Sequence, residues 1–195
     1  MIKVGVTGGI GSGKSLVCKI IESIGYPVYH ADIEAKKLSD TQLSVVESIT
    51  QLFGKDIYVD GKLDRKRVAS LVFSNNQMLE KLNAIIHPAV ENHFKEWVLK
   101  NAQSQLVFQE AAILFESGAY KYVDQVVAVW APKEIRIRRV AQRDELSVSE
   151  IENRMKNQID EQELLNKSQF VIRNDEVEML TPQVINIIDN ILRKQ

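Results

Sequence analysis

A glycine-rich stretch near the N-terminus constrains this chain more than any other feature. Six of the nine glycines lie in the first 25 residues, and residues 8–15 read Gly-Gly-Ile-Gly-Ser-Gly-Lys-Ser. This segment satisfies the pattern G-x-x-x-x-G-K-[ST] at every fixed position. Glycines in such a loop bring consecutive backbone N–H groups against phosphate oxygens. The sequence therefore predicts a phosphate-binding loop.

The residues around this loop predict a strand, a helix and a second strand. Residues 2–6 are β-branched and alternating, as in a short buried strand. Residues 15–24 carry apolar side chains on one helical face, and Gly25 is suited to end that helix. Residues 27–30 resemble another strand. Together they form a βαβ unit, whose parallel strands indicate an α/β fold.

The middle of the chain predicts helices rather than strands. Residues 33–102 form a mostly helical insert in which Asp64 is placed to cap one helix and Pro88 to interrupt another. Strand patterns return at residues 105–109, 123–130 and 170–172, with a polar, Arg-rich helical region at 133–165 between the last two. Thr181-Pro182 predicts the start of a final helix.

Charge and cysteine content narrow the class of protein. Lys and Arg total 25 against 26 Asp and Glu, which gives a net charge of -1. This balance argues against bulk-charge binding of nucleic acid, which requires many neutralised phosphates. Cys18 is the only cysteine, so an intrachain disulfide is excluded and a reducing compartment is expected. Without a signal-peptide pattern or an apolar run near the roughly 20 residues that span a bilayer, we expect a cytoplasmic protein with no membrane partner.

The fixed positions of the loop predict ATP binding with Mg²⁺. Lys14 is expected to reach the β- and γ-phosphates, and the Ser15 hydroxyl to hold Mg²⁺. The helix that follows offers its positive N-terminal end to the same anion. The sequence has neither D-x-x-G nor N-K-x-D, which argues against a GTPase. We predict that ATP contacts the backbone and side chains of the loop residues Gly8, Gly9, Ile10, Gly11, Ser12, Gly13, Lys14, Ser15 and Leu16.

An aspartate follows the second predicted strand, at the sheet edge where ligands bind in open α/β folds. Asp32 in this position is able to accept a hydrogen bond from an acceptor hydroxyl and orient it for in-line attack on the γ-phosphorus. Alternatively, Asp32 caps a helix at residues 33–38. His30 points to the same side of the strand. Position alone leaves both interpretations of Asp32 open, and they are mutually compatible.

Three arginines, Arg136, Arg139 and Arg143, are spaced three and four apart and so share one helical face. Such a face neutralises charge on transferring phosphoryl oxygens. A solvated helix whose arginines pair with nearby acidic residues is the competing interpretation. The two stay open at this point.

Short motifs beyond the loop follow one another in a defined order. They are His30-Ala31-Asp32, residues 53–57, residues 60–65, His87-Pro88, Leu114-Phe115-Glu116, Arg139, Arg143-Asp144, Gln158 and Asn174. Together with Thr7 and the loop, this series resembles the dephospho-coenzyme A kinase family over roughly residues 2–175. The later motifs are individually short, and their joint order carries the resemblance.

This resemblance implies transfer of the ATP γ-phosphate to the ribose 3′-hydroxyl of dephospho-coenzyme A. It implies a P-loop NTPase-type α/β/α core with a five-stranded parallel sheet at residues 1–32, 104–135 and 166–195. A helical acceptor-binding domain at 33–103 and a helical lid at 136–165 complete the implied architecture. Catalytic roles fall on Lys14, Asp32, Arg139 and Arg143, and acceptor binding on Asp32, Arg65 and His87.

The chain departs from the family pattern at three places. His30 stands where the family usually has Asp, Leu16 where Thr commonly follows the loop, and residues 111–113 where a proline-containing stretch is usual. Glu110 is placed either to act on the metal through water or to form a buried salt bridge. We expect a monomer or weak homo-oligomer. Another small-molecule P-loop kinase, acting on a nucleoside or nucleotide, is the alternative function, and a nucleotide-switched regulator of a protein partner is a more distant one.

Overall fold

A computed structural model describes residues 1–73 and 75–193 of the chain. The chain divides into two compact units, Met1–Tyr29 with Asn101–Gln195 as the first and His30–Lys100 as the second. The region expected to form a separate lid, residues 136–165, is grouped with the first unit. Its treatment as a distinct domain stays a prediction.

A five-stranded parallel sheet organises the first unit. Its strands are β1 (Ile2–Thr7), β2 (Val28–His30), β5 (Leu106–Glu110), β6 (Gln125–Trp130) and β7 (Phe170–Arg173). They lie in the order β2-β5-β1-β6-β7, and Val4 of β1 pairs with Phe108 of β5 on one side and with Gln125 of β6 on the other. The predicted α/β fold with a five-stranded parallel sheet is confirmed.

The helices of this unit are α1 (Lys14–Ser23), α6 (Lys133–Asp144), α7 (Val148–Lys156), α8 (Glu161–Lys167) and α9 (Leu180–Arg193), with a 3₁₀ turn at Ala119–Tyr122. Helices pack against the sheet because their apolar stripes match its apolar faces. Val17 and Ile21 of α1 join Val184 and Ile188 of α9 in one buried cluster with sheet residues such as Val6. The polar region at 133–165 consists of α6, α7 and α8.

Gly25 ends α1 as the sequence predicts. Its φ of 102° is left-handed, a conformation that favours glycine. The N–H groups of Gly25 and Tyr26 donate to the carbonyls of Glu22 and Ile21 over 2.9 and 3.3 Å. This is a Schellman motif, which turns the chain towards β2.

The second unit has its own apolar core, which includes Val45, Ile49, Ile57, Leu63 and Leu82. Its helices are α2 (Ala31–Thr41), α3 (Leu43–Phe53), α4 (Arg65–Phe73) and α5 (Asn76–Lys100), with a 3₁₀ turn at Lys55–Ile57 and the two-stranded hairpin of β3 (Tyr58–Val59) and β4 (Lys62–Leu63). In the residues that the structure describes, no helix is long and apolar enough to cross a membrane.

Asp64 caps α4 as predicted, because its Oδ1 accepts from the Arg67 N–H over 3.0 Å. Pro88, by contrast, was wrongly expected to interrupt the helical pattern. It lies inside the 25-residue helix α5. Proline removes one backbone hydrogen bond but does not end a helix that has several turns on each side to hold it in the packed core.

Two further expectations about local structure need correction. The insert contains a hairpin at Asp60-Gly61, where both residues have positive φ, of 49° and 75°, as a tight two-residue turn requires. Thr181 does not cap α9, which already begins at Leu180 and includes Pro182 in its first turn. The Gln183 side chain joins this helix to the end of β7: its Oε1 accepts from the Arg173 N–H over 2.8 Å, and its Nε2 donates to the Arg173 carbonyl over 2.9 Å.

Candidate active site

The phosphate loop connects β1 to α1 and leaves the start of that helix uncapped by any side chain. Gly13 is the N-cap residue, with a φ of 95°. A Cβ there would also collide with the Asn174 amide, so both conformation and space require glycine. Because no side chain caps α1, its first N–H groups remain suited to bind an anion.

Lys14 and Ser15, the first two residues of α1, are held by different partners. The Lys14 ammonium donates to the carbonyl of Gly8 over 2.8 Å and lies 3.4 Å from that of Gly9. The Ser15 hydroxyl donates to Oε1 of Glu110 over 3.1 Å. Glu110 ends β5, the strand next to β1, so sheet order brings its carboxylate to the loop. This contact places Glu110 beside the predicted metal-binding hydroxyl.

Arg136 supports the loop from α6. It is buried, its Nε donates to the carbonyl of Ile10 over 3.1 Å, and its Nη1 donates to Glu161 over 3.0 Å. Burial lowers the pKa of Arg136, although the ion pair with Glu161 opposes that effect. A Cβ on Gly9 would collide with this guanidinium. Arg136 therefore braces the loop and ties it to the start of α8.

Arg139 reaches the other side of the loop together with Asn174. Its Nη2 lies 3.2 and 3.3 Å from the backbone and side-chain oxygens of Asn174 and 3.2 Å from Glu176. The buried Asn174 side chain donates to the carbonyl of Ser12 over 2.8 Å. Residue 174 thus connects Arg139 to the loop.

Arg143 forms a bidentate pair with its neighbour Asp144. Its Nε and Nη2 donate to the two carboxylate oxygens over 2.7 and 2.8 Å, and Arg154 lies 3.8 Å from the same carboxylate. Hydrogen bonds from Arg143 lower the pKa of Asp144. The predicted pairing of the arginine face with acidic residues is therefore present for Arg143, alongside its position near the loop.

Two cavities border the phosphate loop. One of about 180 Å³ is lined by Gly11, Gly13, Lys14, Ser15, Arg139, Val140 and Arg143. This set brings Arg139 and Arg143 together with the start of α1, as the shared helical face predicts. A second cavity of about 480 Å³ borders the start of the loop, and the residues of its lining that matter here are Gly8, Gly9, Arg136, Gln158, Asp160 and Glu161.

The segment between α7 and α8 also contacts the loop. The Ile10 N–H donates to Oε1 of Gln158 over 2.8 Å. The next residue, Ile159, donates its N–H to Glu116 over 2.9 Å. Asp160 then caps α8 by accepting from the N–H groups of Gln162 and Glu163. Gln158 is thus fixed at the loop by the anchors that directly follow it in the chain.

In the second unit, Asp32 lies in the first turn of α2. That helix begins at Ala31 with His30 as its N-cap residue, so Asp32 does not cap it. Asp32 is exposed and is favoured in that turn by the helix dipole. The capping alternative for Asp32 is therefore wrong, while its role towards an acceptor stays a prediction.

Arg65 is held by α2. Its Nη2 donates to Oδ2 of Asp40 and to the carbonyl of Lys36, each over 2.7 Å. Asp40 also accepts from the Leu63 N–H over 3.0 Å. Burial alone would raise the pKa of Asp40, but the hydrogen bonds from Arg65 and Leu63 outweigh it and lower that pKa. Burial lowers the pKa of His87, the other residue predicted to bind the acceptor.

Sequence reasoning did not assign roles to several residues that contact the phosphate loop in the first unit or Arg65 in the second. Gln158 and Asn174 entered only as members of the ordered series of motifs, and Asp40 was not singled out. A buried asparagine or glutamine with a loop contact leaves no periodic signal in the sequence. The i, i+3 spacing did find Arg136, although as part of a phosphate-facing set rather than as a buried brace.

A phosphate loop at the end of the first strand of a parallel sheet, with lysine, serine and a neighbouring carboxylate at the start of the next helix, defines a P-loop kinase core. The family model for dephospho-CoA kinase matches residues 2–179. The chain belongs to the dephospho-CoA kinase family, and it is an ATP-dependent kinase, a transferase.

Individual relatives agree with this assignment. The chain is 37% identical over 193 residues to a dephospho-CoA kinase of Bacteroides fragilis, covering 99% of this chain and 94% of the relative. A dephospho-CoA kinase structure from Campylobacter jejuni matches with a TM-score of 0.69 at 30% identity, covering 97% and 96% of the two chains. A structure from Thermus thermophilus matches with a TM-score of 0.84 at 34% identity, covering 99% and 97%.

Proposed function

We propose that this protein transfers the γ-phosphoryl group of ATP to the ribose 3′-hydroxyl of dephospho-coenzyme A, giving coenzyme A and ADP in the final step of coenzyme A synthesis. The observation that carries the proposal is the phosphate loop at residues 8–15, whose Ser15 is bonded to Glu110, in a chain that matches this kinase family from residue 2 to 179.

ATP binds at residues 8–16 in this proposal. The N–H groups of the loop and of the first turn of α1 hold the phosphates, and Lys14 neutralises the charge at the β- and γ-phosphates. Arg139 and Arg143, which line the 180 Å³ cavity with Lys14 and Ser15, contact the same anion. Water is excluded when these arginines cover the phosphates.

The oxygen donors beside the loop fit Mg²⁺. A hydroxyl and a carboxylate, Ser15 and Glu110, lie 3.1 Å apart, and oxygen ligands of this kind suit that ion. The described residues contain no cluster of three or more His, Cys, Asp or Glu side chains that would form an all-protein cage. A kinase site does not require one, because Mg²⁺ keeps waters and substrate phosphates as ligands. The ion would neutralise charge on the β- and γ-phosphates.

Asp32 orients the acceptor hydroxyl, and Arg65 and His87 bind the rest of the acceptor. In the transfer, a bond forms between the hydroxyl oxygen and the γ-phosphorus while the bond to the β,γ-bridging oxygen breaks, and its electron pair leaves with ADP. Asp32 receives the hydroxyl proton late, because little bonding to the attacking oxygen has formed in a loose phosphoryl-transfer transition state. Orientation is then its main contribution.

The remaining parts of the proposal concern the setting of the reaction. The protein acts in the cytoplasm as a monomer or weak homo-oligomer, with ATP and dephospho-coenzyme A as partners and without nucleic acid or membrane. The near-neutral charge and the single cysteine support this setting.

The test is product formation from Mg-ATP with dephospho-coenzyme A, compared with a panel of nucleosides, nucleotides and shikimate. ADP release is followed together with the mass of the product. We expect one ADP and one coenzyme A for each acceptor consumed, with dephospho-coenzyme A as the preferred acceptor. Product from another acceptor but none from dephospho-coenzyme A would contradict the proposal while leaving kinase chemistry intact.

A further inference from the structure

Gln158 occupies a position that the predicted roles of the loop, the arginine face and the acceptor residues leave unassigned. It lies between α7 and α8, and its side-chain oxygen accepts from the Ile10 N–H over 2.8 Å, across 148 positions of sequence. We propose that Gln158 is a catalytic residue that donates its side-chain amide N–H to the transferring phosphoryl group. This inference rests on the proposed function and adds a residue to it.

The location of Ile10 identifies the part of the nucleotide that Gln158 faces. The Lys14 ammonium, which in a phosphate loop serves the β- and γ-phosphates, lies 2.8 Å from the carbonyl of Gly8 and 3.4 Å from that of Gly9. Ile10 is the next residue along the same stretch. Gly8 and Gly9 also line the 480 Å³ cavity with Gln158, so these two residues connect the Gln158 amide to the Lys14 ammonium that serves the γ-phosphate.

The chemistry of the amide fits a phosphoryl oxygen. Because Oε1 accepts from Ile10, the other end of the group, Nε2, is the donor. Within residues 1–73 and 75–193, no acceptor is found for the N–H groups of Gln158 Nε2. Gln158 is partly buried and lines the 480 Å³ cavity together with Gly8 and Gly9. A neutral donor of this kind stabilises charge on phosphoryl oxygens without adding a charge of its own.

Two anchors that follow Gln158 in the chain hold it in register with the loop. Before α8, Glu116 accepts from the Ile159 N–H over 2.9 Å. At the start of α8, Glu161 is bonded to Arg136, whose Nε in turn donates to the carbonyl of Ile10. The N–H and carbonyl of Ile10 are thus bound to two residues of one connected network. Preorganisation of this kind is what a transition-state donor requires.

Two substitutions separate the donor role from a bracing role. Gln158→Glu keeps an oxygen for the Ile10 N–H but removes the donor and adds a negative charge. Gln158→Met keeps the length of the side chain, adds no charge, and removes both the donor and the oxygen that accepts from the Ile10 N–H. Gln162→Glu, on the exposed surface of α8, is the matched control for added charge.

We expect Gln158→Glu to lower kcat by about 10²-fold, at the lower end of the range found when one donor to a developing anion is removed, and Gln158→Met, which adds no charge, by about tenfold. The KM for ATP should change by less than about threefold in the Met variant, because its contribution belongs to the transition state. The thermal midpoint of Gln158→Glu should stay within a few degrees of the wild type. Gln162→Glu should keep wild-type kinetics.

Wild-type turnover in the Met variant would overturn the proposal, even if the Glu variant is slow through repulsion of ATP. Wild-type turnover in the Glu variant together with a slow Met variant would also overturn it and would make Gln158 a brace. A slow Met variant that raises the KM for ATP by more than about threefold would contradict it too, because loss of the bond to the Ile10 N–H would then explain the slower turnover. Failure of the wild type to phosphorylate dephospho-coenzyme A would instead contradict the proposed function, so the two failures are distinguishable.

Discussion

The two compact units hold their candidate site residues in different ways. In the first unit, side chains remote in sequence bond the backbone of the phosphate loop. Arg136 and Gln158 bind the carbonyl and N–H of Ile10, and Asn174 binds the carbonyl of Ser12, across 126 to 162 positions. A loop rich in glycine has few side chains with which to stabilise itself, so other elements must fix it.

In the second unit, one neighbouring helix is sufficient to hold a candidate site residue in place. Arg65 begins α4 and is held by Asp40 and the Lys36 carbonyl, both on α2. An arginine on a helix is already placed by the backbone, and its guanidinium needs only a carboxylate to fix its direction. Nucleotide binding should therefore respond to changes far away in sequence, and acceptor binding to changes in α2 and α4.

The largest expected effect is loss of the loop lysine. Lys14→Ala should lower kcat by about 10³-fold, because the ammonium supplies the main positive charge of the loop at the γ-phosphate. The measurement is ADP release at saturating ATP and acceptor. Lys19→Ala, an exposed lysine of the same helix, is the control and should be near wild type. A Lys14→Ala enzyme within tenfold of wild type would remove this loop from the chemistry.

The next effect concerns the second unit. Asp32→Asn should lower kcat by on the order of 10²-fold, because the amide cannot receive the hydroxyl proton. ATP affinity should be unchanged, as measured by nucleotide titration. Asp60→Asn, in the exposed hairpin turn where asparagine also tolerates a φ of 49°, is the matched control. If Asp32→Asn retains normal turnover, orientation of the hydroxyl belongs to another group.

A crossed pair of substitutions tests the comparison between the units directly. Asn174→Ala removes the side-chain bond to the Ser12 carbonyl and one of the bonds to Arg139. It should raise the KM for ATP about tenfold, a usual cost of one lost buried hydrogen bond to a charged or loop group. Asp40→Asn weakens the hold on Arg65 and should raise the KM for the acceptor about fivefold.

Each substitution should leave the other KM within about twofold. Initial rates with each substrate varied in turn give all four values, and Asn186→Ala on the surface of α9 serves as control. A rise in both constants from either substitution would show that the two substrates do not depend on separate anchors.

The sequence was sufficient for the features that a local pattern encodes. The loop motif, the strand–helix alternation and the capping position of Asp64 each depend on residues close together in the chain. The hairpin at Asp60-Gly61 was also within reach, because Asp-Gly between short β-rich segments is a turn signal, but the helical pattern around it dominated the interpretation. Pro88 was misjudged because tertiary packing outweighed its intrinsic preference.

The rest of the site depends on contacts that no local pattern carries. The bonds of Gln158 and Asn174 to the loop, and of Glu110 to Ser15, join residues 95 to 162 positions apart. Sheet order places Glu110 beside the loop, and that order is visible only in the fold. Arg136 and Arg139 share a face, as spacing predicts, yet burial makes one of them a brace.

The smallest expected effect concerns the N-termini of two helices, one in each unit. The Asp64 carboxylate caps α4 by accepting from the Arg67 N–H over 3.0 Å. Helix α1, by contrast, has Gly13 as its N-cap residue and no side-chain cap. Asp64→Ala should lower the free energy of unfolding by about 1 kcal/mol, as measured by urea titration, and Asp64→Ser should recover most of it.

The start of α1 should gain its stability from a ligand instead, because its N–H groups are left for phosphate. Mg-ATP should therefore raise the unfolding midpoint of the wild type and of Asp64→Ala by equal amounts, and that of Lys14→Ala by much less. An equal rise in all three would mean that the bare end of α1 is not where the nucleotide binds. Structural caps and an open phosphate site would then be the wrong way to distinguish these two helices.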